Sequence, residues 1–452
     1  MASESGSITG GMLRRRAFAA LAAATAVTRP ARAQGGVSGK VTVVTSFSND
    51  VTGPFKRAFE AAHPGTTLDV QNRNTTAGVR FLQETRSNNA VDLFWASAPD
   101  AFEVLKRAGL LEAYKPRAEG IPERIGPYPI NDPEGYVTGF AASGYGIMWN
   151  ERYMRANRLP EPKEWADLAR PAYHDHVIIT APSRSGTTHL TIETILQGEG
   201  WEKGWGTIKG FSGNLRQITE RSFGVPDAVN SGQVGIGIVI DFFAFSAQGA
   251  GFPVKFVYPS VTTVVPANIG IVKNAPNLPA AKAFIDFLLS PRGQEILLEP
   301  TIRRLPVNPA TYAKAPAGYP NPFTGSIGMP SLQFDVGVSE KRYPVVDALY
   351  DQCIGTNLEG LKRATKAIGD VEIRLARRDN AAARALLAEA RALIDAMPVT
   401  VQEAASDEVA GAFAGRGGGP RQAELEQRWA GFAREKYQAA AARAADAAKA
   451  AG

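Results

Sequence analysis

The sequence predicts an α/β protein of two lobes joined by crossing strands, with a helical extension at its C-terminal end. Three observations carry this reading. From Lys40, short runs rich in β-branched residues alternate with helical patterns, the order that builds a parallel sheet covered on both faces. A second alternating set begins beyond YKPRAEGIPERIGPYPINDPEG, where prolines and glycines break any periodicity. From about Lys341 the texture changes to Ala/Arg/Glu-rich helices. A chain of 452 residues has room for two or three domains of ~100–200 residues each.

The elements follow in order. At the N-terminus, Arg14-Arg15-Arg16 precedes the apolar run AFAALAAATAV and then Ala31-Arg32-Ala33. That pattern is an export signal cleaved after Ala33, too short to span a bilayer, and its paired arginines fit the twin-arginine route as well as the general one. VTVVTSF reads as a buried strand, and GPFKRAFEAAHPG as a helix with Phe55, Ala58, Phe59 and Ala62 on one face, stopped at His63-Pro64-Gly65. TTLDVQNR, GVRFLQETRSN, VDLFWAS and DAFEVLKRAG continue as strand, helix, strand and helix. YVTGFAASGYGIMWN is a crossing strand; HVIIT, THLTIETILQG and GQVGIGIVI form the second set, and PSVTTVVPANIGIV carries the chain back. LPAAKAFIDFLLS puts Ala280, Ala283, Phe284, Phe287 and Leu288 on one helical face. The expected division is 1–33 signal, 40–140 with 262–335 as lobe 1, 141–261 as lobe 2, and 336–452 as a helical extension packed on the lobes. GRGGGP at 415–420 interrupts that extension, and the tail past Ala440 is expected to fray.

Charge and cysteine exclude several classes. Without residues 1–33 the chain has 45 basic and 43 acidic residues, so its net charge falls from +6 to +2. Such a balance gives no nucleic-acid footprint. Cys353 is the only cysteine, which rules out an intrachain disulfide and a multi-cysteine metal site. No nucleophile elbow, zinc-protease helix, dinucleotide fingerprint or Walker lysine occurs in the sequence, so an enzyme is not expected. His174 and His176 flank Asp175 in a spacing a metal could use, but they also fit a surface turn, and no metal or other cofactor is assigned. His189 stands beside a hydroxyl-rich helix start and could donate to an anion.

Polar residues recur where strands end, the edge at which open α/β sheets bind ligands. Ser46, with Thr45 and Ser48, follows the first strand; Asn74, Thr75 and Thr76 follow the second; Ser97 follows the third. In the second set the same place is held by Ser183, Ser185, Gly186, Thr187 and Thr188, then by Arg221, then by Asp241. Each residue alone could be a helix cap. Together they aim hydroxyls and helix N-termini at a shared cleft suited to an anion.

The export signal with VTVVTSFSND, VDLFWASAPD, SGYGIMWN, APSRSGTT, GIGIVIDFFAF and ANIGIV resembles the periplasmic solute-binding proteins of ABC importers, over roughly Lys40 to Pro306. The closest branch holds the binders of ferric ion, sugar phosphates, phosphoglycerate and aminoethylphosphonate. The resemblance implies a type 2 periplasmic-binding fold with a double crossover hinge, a monomer, delivery of ligand to an inner-membrane permease, and no catalysis. Reporting to a membrane sensor would use the same site.

Ferric-binding relatives hold the metal with adjacent tyrosines after a strand, where this sequence has Phe242-Phe243 after Asp241. Phenylalanine offers no oxygen, so a small organic anion, a phosphate ester or phosphonate, replaces free iron as the expected ligand. Hydroxyls and Arg221 would take the anion, Asp241 would meet the ligand's other end or cap its helix, and Phe47, Phe242 or Trp95 would wall the organic part.

Overall fold

A computed structural model describes residues 36–117, 119–126, 128–324, 332–413 and 419–452. The signal segment 1–33 and most of GRGGGP lie outside the described residues. Strands β1 (Gly39–Thr45), β2 (Thr66–Asn72) and β3 (Leu93–Ala96) alternate with helices α1 (Asn49–Ala62), α2 (Thr75–Glu84) and α3 (Pro99–Arg107). β1 runs parallel to both β2 and β3. The helices begin earlier than the sequence reading placed them, because the polar clusters after the strands are first turns. Asn74, for example, caps α2 by accepting from the Ala77 N–H at 2.7 Å.

The long strand β4 (Thr138–Asn150) is buried along all its 13 residues. The second half then adds β5 (Val177–Thr180), α4 (Gly186–Glu199), α5 (Trp201–Ser212), β6 (Leu215–Thr219), β7 (Ile236–Ile240) and α6 (Asp241–Gly249). β8 (Val264–Val272) and α7 (Leu278–Leu289) return to the first half, where Phe284 meets Phe59 of α1 at 5.0 Å between ring centroids. The strands lie in the order β2-β1-β3-β8-β4-β7-β5-β6.

β4 connects the two halves because its pairing partner changes midway. Thr138 to Gly144 pair with β8, whereas Tyr145 to Trp149 pair with β7. The chain crosses back between Val257 and Val264, where the Thr262 hydroxyl donates to the Tyr145 carbonyl at 2.7 Å. These two passages are the double crossover, and they are the covalent links between the half-sheets across which a hinge can bend.

Helices α8 (Val336–Tyr350), α9 (Leu358–Leu375), α10 (Ala381–Asp395) and α11 (Pro420–Ala451) make up most of the extension. Their apolar faces share one core with the second half: Val346, Leu361, Trp429 and Tyr437 cluster with Ile179, Ile192 and Trp205. The expected fraying past Ala440 is corrected. Ala440, Ala444, Ala447 and Ala451 are buried on α11, which lies against α10. Alanine is small enough to let the two helices approach along that whole stripe.

Candidate functional site

The ends of β1, β3, β5, β6 and β7 converge between the two halves. The small cavity there measures about 20 Å³ and is bounded by Ser46, Phe47 and Ser48 from the first half. Thr187, Ser222, Phe223, Phe242 and Phe243 close it from the second half, and Arg304 lies at its base. Its volume is about that of one water site. The two halves touch beside it. A Cβ built on Gly186 would stand 2.7 Å from the Ala98 methyl and 2.9 Å from Thr75 Cγ2, so only glycine allows this approach. At the mouth, Arg221 Nη2 donates to Asn72 Oδ1 across the halves at 2.5 Å.

Arg304 was not legible as a site residue. It precedes the two-residue strand Leu305–Pro306, which pairs with Ala142 and Ala141 of β4. That pairing draws its side chain inward to 1% exposure. Nη1 donates to Ser97 Oγ at 2.9 Å and reaches Ser143 Oγ at 3.4 Å. The guanidinium is sandwiched between one ring from each half, 4.4 Å from the Phe47 centroid and 3.7 Å from that of Phe242. Nε and Nη2 have no hydrogen-bond partner among the described residues. Burial pulls the group below its ordinary range to about 9, opposed first by the charge of Asp241, so it remains cationic at neutral pH. A buried cation with donors unmet is costly unless an anion completes it.

The other candidates divide into three groups. Ser46, Phe47, Thr187 and Phe242 line the cavity, and Ser97 holds Arg304 from behind. Ser185 caps α4 through the Thr188 N–H at 3.1 Å, while Thr75 and Gly186 form the contact between halves. Three residues face elsewhere. The Ser183 hydroxyl donates to Asp351 of the extension at 3.0 Å, Asn74 is a cap, and Thr76 borders a separate groove with Tyr343. Trp95 is fully buried, packed edge-on against Phe47 and Phe55 in the core, and is not a wall of the cavity.

Asp241 is turned inward. Its carboxylate accepts from the Gly144 N–H at 2.6 Å, the Tyr258 hydroxyl at 2.8 Å and the Phe242 N–H at 2.7 Å. It ties α6 to the crossing point of β4 and does not border the cavity. Burial raises its pKa to about 6 against these hydrogen bonds and the charge of Arg304.

His189 also points away from the cleft, and its partners raise a question about catalysis. Its Nδ1 lies 2.7 Å from Asp347 Oδ1 and its Nε2 3.2 Å from Ser339 Oγ, the connectivity of a hydrolytic triad. The chemistry differs. The Ser339 hydroxyl donates to Asp100 at 2.8 Å, and Ser339 and His189 are wholly inaccessible. His189 is raised to about 8 against the effect of its burial, chiefly by Asp347. An imidazolium has no lone pair with which to take the serine proton.

Comparison with known proteins identifies the family and the fold. Residues 88–325 match the family described as bacterial extracellular solute-binding protein. The phosphoglycerate transport regulatory protein PgtC of Salmonella typhimurium is 32% identical over 375 residues, covering 82% of this chain and 88% of that protein. Among solved structures, the periplasmic binding protein AfuA from Actinobacillus pleuropneumoniae, with fructose-6-phosphate bound, superposes with a TM-score of 0.63 at 21% identity. It covers 69% of this chain and 98% of that one. Apo ferric ion-binding protein A of Pasteurella haemolytica gives 0.56 at 17%, covering 70% and 97%. These likenesses establish the type 2 periplasmic-binding fold, to which the C-terminal helices are added.

Proposed function

Since the chain belongs to the bacterial extracellular solute-binding proteins, we propose that it is the periplasmic receptor of an ABC importer for a small phosphorylated organic anion, phosphoglycerate first among them. The carrying observation is Arg304, a buried guanidinium whose Nε and Nη2 are free to form a fork at the base of the cleft. A fork of two N–H donors matches two oxygens of a phosphate or phosphonate. Ser46, Thr187 and Ser222 add hydroxyls around the same point, and α4 directs its N-terminus there, favourable to negative charge. Phe242 and Phe243 border the cavity where ferric binders need phenolates. The ligand enters as the halves part and is enclosed as they close, after which a permease would receive it.

The names of two similar proteins support this class: PgtC is a phosphoglycerate transport regulatory protein, and AfuA was solved with fructose-6-phosphate. A sensing role is the second reading. The match to PgtC covers 82% of this chain, more than the 335 residues that precede α8, so it reaches into the extension.

Calorimetry and thermal shift on the full-length protein test the proposal with 3-phosphoglycerate, fructose 6-phosphate, 2-aminoethylphosphonate, glycerate and ferric citrate. Stabilisation by phosphorylated compounds, with none by glycerate and no product formed over hours, is the expected result. A response to ferric citrate alone would overturn it.

A further inference from the structure

Helix α8 belongs to the extension, yet it bonds both halves. Toward the second half its attachment is apolar and deep. Val345, Val346 and Leu349 share a core with Ile192 and Ile195 of α4. Arg342 grips Glu193 with two bonds of 2.9 Å, His189 meets Asp347 at 2.7 Å, and Gln197 exchanges hydrogen bonds with the backbone of Asp335.

Toward the first half the attachment is mixed: Phe334 and Val336 at the start of α8 pack with the core that holds Phe55 and Trp95, the Tyr128 hydroxyl donates to the Phe334 carbonyl at 2.5 Å, and further polar bonds reach α3. From α8, Ser339 donates to Asp100 at 2.8 Å and Glu340 pairs with Arg107 at 2.8 Å; from α4, His189 Nε2 lies 3.4 Å from the same Asp100 carboxylate. Water can replace hydrogen bonds when two surfaces part, at little net cost per bond, whereas it cannot replace an apolar core. When the halves part, the bonds most readily given up are these polar ones between α8 and α3.

The position of these bonds links them to the cleft. Asp100 lies three residues after Ser97, which holds Arg304. His189 lies two residues after Thr187, which lines the cavity. A bond between α8 and α3 thus fixes both walls of the cavity from behind.

We propose that the C-terminal extension is part of the binding apparatus: α8, rooted in the second half, clasps α3 of the first, and Ser339, Asp100 and the Arg107–Glu340 pair are positioning residues for the closed cavity. This rests on the closing-cleft reading above and extends it to how long a ligand is retained. A charge-assisted hydrogen bond such as Ser339 to Asp100 sets the scale of the effect, about tenfold in release rate.

The test uses the full-length protein spin-labelled at Asn88→Cys and Gln217→Cys, exposed sites on either half; Cys353 is buried and does not compete. Ser339→Ala and, as a surface change that leaves the core untouched, Arg107→Ala are each compared with the unsubstituted chain. Expected are a longer or broader interlabel distance and about tenfold faster release of 3-phosphoglycerate for Ser339→Ala, with its association rate unchanged. Arg107→Ala is expected to move both readouts in the same direction, by less. Unchanged distances and release rates in both variants would overturn the clasp, as would a loss of affinity arising from association alone. If 3-phosphoglycerate fails to bind the unsubstituted chain, the ligand reading falls, while the distances still decide the clasp.

Discussion

Replacing Arg304 by methionine separates function from stability in one substitution. Nε and Nη2 are the two donors available to an anion, and each hydrogen bond from a charged donor contributes about 1.5–3 kcal/mol. Taking the lower figure for both, Arg304→Met should cost about 3 kcal/mol of binding, a loss of about a hundredfold in affinity. Arg304→Lys keeps the charge but not the fork, and about a tenfold loss is expected. Without ligand the effect is smaller, because relief of a buried, incompletely bonded cation offsets the loss of its charge beside Asp241 and of its two ring contacts. The melting temperature of ligand-free Arg304→Met should therefore fall by no more than about 5 °C. Titration calorimetry with 3-phosphoglycerate and scanning calorimetry without it provide the two readouts. Affinity retained within about threefold would refute the anion site, and a melting point lowered by more than about 5 °C would show that the guanidinium serves the fold instead.

Two further outcomes follow from particular contacts. Gly186→Ala places a methyl 2.7 Å from the Ala98 methyl, which is fixed to backbone and cannot swing aside, so the halves must separate at that point. Overpacking of this kind costs about 1–3 kcal/mol; stopped-flow release of 3-phosphoglycerate should quicken about tenfold, and an unaltered rate would show that the contact does not control closure. The second concerns pH. His189 has its pKa raised from 6.5 to about 8 in the folded protein, and Asp100 from 3.8 to about 6. A group raised on folding contributes stability that is complete below its unfolded pKa and is lost as pH rises through the folded one. His189 faces Asp347, Asp100 and Glu193, and stacks on Tyr343, and its shift corresponds to about 2 kcal/mol. Urea unfolding should therefore show stability declining between pH 6.5 and about 8, a slope that His189→Gln lacks; the same slope in both proteins would exclude the imidazole as its source.

The parts of this molecule that could be read from sequence are those whose causes are local. Alternating β-branched and helical runs placed most of the strands, because a buried parallel strand and an amphipathic helix differ in period within a few residues, but missed β6 and the helix α5 before it. Hydroxyls and glycine at the start of α4 marked a helix N-terminus for the same reason, and that Phe242-Phe243 offer no phenolate oxygen follows from the side-chain formula. The tail past Ala440 was read as fraying, but alanine suits a closely packed helix as well as a solvated one, and only the neighbouring α10 decided between them.

What tertiary structure decided were the partners distant in the chain. Nothing in the local sequence distinguishes Arg304 from its neighbour Arg303. Arg304 is buried because its short strand pairs with β4, and its bond to Ser97 spans 207 residues. Ser183 and His189, grouped with the anion loop by proximity in sequence, turn to the extension, where His189 meets Asp347 across 158 residues and Ser339 meets Asp100 across 239. A helix start fixes where the backbone N–H groups point but not which way each side chain faces. That depends on what packs against the helix, and α8 packs there. By itself the sequence therefore determined the two-lobed frame; the folded chain determined that Arg304 is buried between the halves and that α8, distant in sequence, bonds both of them.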